Sequence, residues 1–171
     1  MEALLEGDTA VLDEAERRGV LEADPGHVWF RHELARRAIE RQRSSTARVA
    51  GNRRVLAELA GRPGVELSRL AHHAHQAGHP EAVVRHGLAA AREAAGAGAF
   101  TEALAHYELV LRWSGQLPGE QRATVLEESI WVLYNLSRFD EAVTRAGEVV
   151  ALRERTGDPA APPPCRGCAT W

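Results

Sequence analysis

The sequence predicts a mostly α-helical protein, with one β-hairpin near its N-terminus followed by an α-solenoid. Three observations carry that prediction. Two short strand-like runs flank a Pro-Gly turn between Val20 and Arg31. Beyond them, apolar residues recur at helical spacing nearly to the end of the chain. Finally, much of the 44% apolar content is alanine and only 5% of residues are aromatic, a mixture that suits closely packed helices better than a β-sandwich.

The N-terminal third is read as follows. Ala3 to Leu5 closes a short helix before Gly7. Asp8 or Thr9 caps the next helix, which turns Val11, Leu12 and Ala15 inward and ends at Gly19. Val20 to Ala23 and Val28 to Arg31 are the strands, and Asp24-Pro25-Gly26-His27 is the turn, together forming a wing. A helix from His32 to about Gln42 follows, with Leu34, Ala38 and Ile39 on its packing side and Arg36, Arg37 and Arg41 toward solvent. Ser44 and Ser45 offer a new N-cap for a second basic helix to about Leu59, carrying Val49, Val55, Leu56 and Leu59, with Gly51 and Asn52 weakening its middle. Gly61 to Gly64, containing Pro63, is a linker.

Five helices are expected after the linker, at about Glu66–Ala77, Pro80–Ala95, Phe100–Ser114, Glu120–Leu136 and Phe139–Arg155. In the third, Phe100, Ala103, Leu104, Tyr107, Val110 and Leu111 share one side; in the last, Phe139, Val143, Ala146 and Val150 do so. Three helix starts repeat one another: GHPEAV from Gly78, GAFTEAL from Gly98 and SRFDEAV from Ser137. The 39 residues from Ala103 to Ala142 match a helical hairpin somewhat longer than a tetratricopeptide unit. The small alanine admits a neighbouring helix, and Tyr107, four residues on, fills the gap between repeats. The array is therefore tetratricopeptide-like, with Ala103, Tyr107 and Pro118 in familiar places. The last helix carries Val149 and Leu152 on an outer side without a following repeat, which makes self-association an expectation.

Charge and chemistry narrow the function. All 21 basic residues are arginine, so Schiff-base chemistry and the lysine of a phosphate-binding loop are excluded. The net charge is -3, yet residues 31 to 54 hold eight arginines against Glu33 and Glu40. Interleaved aromatics for base stacking are missing there, so no direct nucleic acid binding is expected. Neither a membrane-length apolar run nor a basic start for a secretory signal is present, which predicts a cytoplasmic protein.

His72, His73, His75, His79 and His86 are the densest set of metal-ligand types, but Leu67, Leu70, Ala71 and Ala74 lie opposite, so a solvated histidine face is expected and no metal site. Cys165 and Cys168 form a single CxxC in a Pro-rich tail, expected to be disordered, with reduced thiols. Trp113 and Trp131 are expected between repeat layers rather than as partner anchors. No catalytic residue and no cofactor is predicted.

FRHELARRAI from Phe30, LAHHAHQAG from Leu70 and the Glu-Ala helices together resemble large ATP-dependent LuxR-type transcriptional regulators, of the signal-transduction ATPase class. The resemblance covers residues 1 to about 157. It implies a partial winged helix over residues 1–42, a basic connecting helix and linker over 43–64, tetratricopeptide-like repeats over 65–157 and a Pro-rich tail over 158–171. It also implies that the ATPase and the DNA-binding helix-turn-helix of a full-length parent are missing, and that the repeats receive a protein partner or an inducer. In the wider class a Met-His-Asp signature after the wing contacts bound ADP; Arg31-His32-Glu33 resembles it with its first and third residues changed. His32 is thereby a candidate nucleotide-phosphate sensor in the intact parent, at a helix N-terminus where free amides favour anions. A free-standing adaptor that binds another protein is the alternative.

Overall fold

The computed structural model describes residues 9–24, 27–113, 115 and 117–156. Among them run eight helices and two strands, mostly α with one small hairpin near the N-terminus, as the sequence predicts. The chain divides into two compact units: the described residues up to Val65 together with His72–His79, and Glu66–Ala71 together with the described residues from Pro80 onward.

In the first unit, helix α1 spans Thr9–Arg17. It is followed by strands β1, Leu21–Asp24, and β2, His27–Phe30, which pair antiparallel with Leu21 opposite Phe30 and Glu22 opposite Trp29. The strands sit one residue from their expected bounds; the Pro25-Gly26 turn lies outside the described residues, as do Ala3 to Leu5 and Asp8. On the solvent side of the hairpin Trp29 Nε1 donates to Glu22 Oε2 at 3.0 Å, a cross-strand pair of the kind that stabilises a two-stranded ribbon. Helix α2 spans Glu33–Gln42 and helix α3 Ser45–Ala60. Ser44 is the N-cap of α3, its Oγ accepting from the Ala47 N–H at 3.1 Å. Helix α4 covers Leu67–Gln76.

Two inward faces predicted for this unit are corrected. Leu34 is 79% exposed and no residue of α2 is buried, so its apolar side is not a core face. Val11 is also exposed, leaving Leu12 and Ala15 as the half-buried side of α1. The physical reason is the scale of the unit: two strands of four residues present too little apolar surface to cover two helices. The buried apolar positions are instead Leu56, Leu59, Ala74 and Ala77.

The second unit is the helical array: α5, Pro80–Gly96; α6, Phe100–Arg112; α7, Gly119–Asn135; and α8, Phe139–Thr156. Each helix packs chiefly on the next in sequence, the arrangement of a solenoid. Their core joins Ala91, Ala94, Ala103, Leu104, Tyr107, Val110, Val125, Val132, Leu133 and Ala142. All three repeat alanines, Ala82, Ala103 and Ala142, are buried, as their role in close helix approach requires. Gly87 serves the same end: a Cβ on it would lie 2.8 Å from Val110 Cγ2, so α5 and α6 touch through bare backbone there.

The short turns before α6 and α8 are built alike. Gly98 has φ +75° and Ser137 φ +58°; in each turn this residue's N–H bonds back three residues and the next N–H bonds back five, from Ala99 to Ala94 O and from Arg138 to Leu133 O. That is the Schellman C-cap, which requires a left-handed residue. Glycine adopts it without strain, whereas Ser137 holds it against its own Cβ.

The last helix is rotated from the expected face. Ala142 and Val149 are buried, while Phe139 and Val143 are exposed, Val143 by 72%. Apolar residues stand on both sides of α8, and the side that is buried, with Ala142 and Val149, also carries two arginines. Arg145 reaches Glu108 of α6 at 3.3 Å and Arg153 reaches Glu127 of α7 at 2.5 Å, both with guanidinium stems largely covered by the protein. Burial of Ala142 and Val149 accompanies these pairs and leaves Val143 on the opposite, outward side.

Candidate functional site

Three places carry functional chemistry, each within one unit. The first is the start of α2. His32 is the N-cap residue, extended at φ -128° and ψ 128°, and its side chain makes no capping bond. It is exposed, and its carbonyl accepts from Ala35 and Arg36. Beside it, bonds from Arg36 and Arg37 hold the Glu33 carboxyl down at about 2, so the helix start carries a fixed negative charge next to the imidazole. The Glu33 carboxylate is committed to arginines of its own helix.

The second place is a cleft of about 830 Å³ in the first unit, formed by α2, α3 and the latter part of α4. Six arginines line it, Arg36, Arg37, Arg41, Arg43, Arg48 and Arg54, with Glu40 as the one lining carboxylate. Arg36 is taken up by Glu33 and Glu40, which raise its already high pKa. Arg41 and Arg48 form no ion pair with a described residue, and Arg43 donates to the Ala47 carbonyl at 3.4 Å. Asn52 bridges the helices: its Nδ2 donates to Arg48 O, and its Oδ1 accepts from His73 Nδ1, each at 2.8 Å. A neutral His73 then carries its proton on Nδ1. His72 packs edge-on against His73, ring centroids 5.4 Å apart.

The third place is on the second unit. Trp131 and Tyr134 stack at 5.8 Å with planes 14° apart, and Phe139 meets Tyr134 edge-on at 5.5 Å. All three are exposed, Trp131 by 62%, which overturns its expected burial between layers; Trp113 is half-buried. Trp131 stands one position before buried Val132, on the side shared with Tyr134, and α8 contributes Phe139 to the same patch. The rotation of α8 that exposes Val143 extends it.

Among the described residues no three of His, Cys, Asp and Glu converge as metal ligands, and His72, His73, His75 and His79 spread between exposed and half-covered positions. Cys165 and Cys168 lie outside the described residues. Among the described helices none is long and apolar enough to cross a membrane. Composition pointed to the basic segment but not to its concavity, and aromatic periodicity did not separate Trp131 from core positions. Comparison of the chain with protein-family models, with curated proteins and with solved structures gives no match.

Proposed function

We propose that this chain is a non-catalytic, protein-binding regulatory portion of a cytoplasmic ATP-dependent regulator of the LuxR type, its helical array receiving a partner or inducer. The observation that carries the interaction role is the patch of Trp131, Tyr134 and Phe139. Three adjoining aromatic rings in water sacrifice hydrophobic free energy that burial would recover, and aromatic residues are the ones that anchor protein interfaces. The regulator assignment is supported by the order of hairpin, basic helix and helical array together with the resemblance of FRHELARRAI and the Glu-Ala helices. In that reading His32, exposed at a helix N-terminus with its side chain making no capping bond, is the candidate contact to a nucleotide phosphate supplied by the ATPase portion, with the Glu33 carboxylate beside it opposing that anion.

The test is the DNA on either side of this reading frame, translated in all frames. The proposal expects a GxxxxGK[ST] motif upstream and a helix-turn-helix downstream. Absence of both rejects the regulator and leaves a free-standing helical adaptor, which the aromatic patch would serve equally.

A further inference from the structure

The middle of α3 breaks the local rules for a helix. Gly51 occupies an interior position, where only proline is less favourable, and Asn52 beside it tends to compete with the helix backbone. Both line the arginine cleft. A Cβ on residue 51 would lie 3.0 Å from Arg43 Nη2, so the bare backbone lets the tip of that guanidinium lie a few tenths of an ångström closer to the helix than a side chain would. Asn52 ties the Arg48 carbonyl to His73. The two residues that weaken the helix are thus the ones that arrange the cleft, the pattern expected where local stability is given up for a site.

We propose that this cleft binds a compact anion carrying several linked phosphates, of the inorganic polyphosphate class. Guanidinium groups present planar forks of donors that match phosphate oxygens, and Arg41, Arg43 and Arg48 have no described carboxylate to occupy them. Arg36 and Arg37 are paired with Glu33 and Glu40, so it is the positive charge of Arg41, Arg43 and Arg48 around one concavity that a multivalent anion would offset while forming new bonds. Its volume is that of a small-molecule site, and its concave form suits a compact ligand better than the broad basic face that a duplex needs. No Phe, Tyr or Trp lines it, so the phosphates and not a stacked base are recognised. His32 is not among the lining residues, which makes this site separate from the candidate sensor.

Calorimetry of the full chain with inorganic tripolyphosphate, at about 0.1 M salt so that distant charges are screened, reads the proposal directly. The expected result is one saturable site with Kd on the order of 10 μM. The Arg41→Gln/Arg48→Gln pair weakens binding at least about tenfold, whereas Arg112→Gln/Arg155→Gln, an equal change of charge on exposed positions of the second unit, leaves it within about twofold. Gly51→Ala separates site from stability: it raises the melting temperature through helix propensity and leaves binding within about threefold, because only the flexible tip of Arg43 has to give. Three results overturn the proposal. They are absence of saturation up to about 1 mM, equal loss in both charge-matched pairs, and binding of duplex DNA more tightly than tripolyphosphate, which would assign the face to nucleic acid.

Discussion

The bond between Tyr107 and Glu128 is predicted to couple α6 and α7 energetically as well as geometrically, with Arg92 of α5 sharing the same carboxylate. Tyr107 on α6 is 2% exposed, and its hydroxyl donates to Glu128 Oε2 of α7 at 3.0 Å. The same carboxylate takes bonds of 2.6 and 2.9 Å from Arg92 of α5. Arg92 is 54% exposed, so its ion pair is worth at most about 1 kcal/mol after screening. A hydroxyl bonded to a charged acceptor contributes about 1.5–3 kcal/mol, and a buried donor stripped of its acceptor costs about 1–3 kcal/mol. Glu128→Ala therefore destabilises by about 2–3 kcal/mol, most of it from the orphaned hydroxyl. Tyr107→Phe keeps the ring and costs about 1–2 kcal/mol. In the Tyr107→Phe background there is no hydroxyl to orphan, so Glu128→Ala then costs only about 1 kcal/mol, the value of the Arg92 pair. The cycle, measured by urea denaturation with unchanged m-values, should give a coupling of about 1.5 kcal/mol. Additivity to within about 0.3 kcal/mol would refute the bond as a joint of the array.

Three further expectations follow from the helix contacts and caps. Gly87→Ala should destabilise by about 1–3 kcal/mol in thermal or urea unfolding, because the new Cβ forces α5 from Val110 by more than helix propensity regains. Ser137→Gly should stabilise by about 1 kcal/mol by removing left-handed strain, while Gly98→Ala should cost a similar amount; calorimetric melting checks both. Burial, and after it the charge of Arg85, lowers the pKa of His86, so the folded chain binds that proton less readily than the unfolded one. The stability this contributes is present above the ordinary value of 6.5 and is lost as pH falls below it; melting between about pH 7.5 and 5.5 should show the loss, reduced in His86→Gln.

Local signals in the sequence proved legible where one residue decides one geometry. Ser44 announces the start of α3, and the three Glu-Ala repeats place alanines that are all buried. Faces were harder. On α8 both sides carry apolar residues, and the side with Ala142 and Val149 that is buried packs on helices distant in sequence, Arg145 meeting Glu108 37 residues away. On α2, a regular apolar stripe exists without a partner surface large enough to cover it, so periodicity overstated burial. The cleft was visible only as a run of arginines, because its far wall is His72 and His73, brought alongside by the pairing of Asn52 with His73. The misfit of Gly51 and Asn52 within a helix, read from the sequence only as a weak middle, is the signal that could have pointed to it.

The regulatory interaction role stands or falls on the aromatic patch in its own cell. Trp131→Ser and Tyr134→Ser, placed together in the native gene, change exposed side chains and leave the buried core untouched. With protein abundance verified as unchanged, transcript profiling should show altered expression of a limited set of genes. A transcript profile identical to that of the unmodified strain, under conditions where deletion of the gene changes it, would contradict the account.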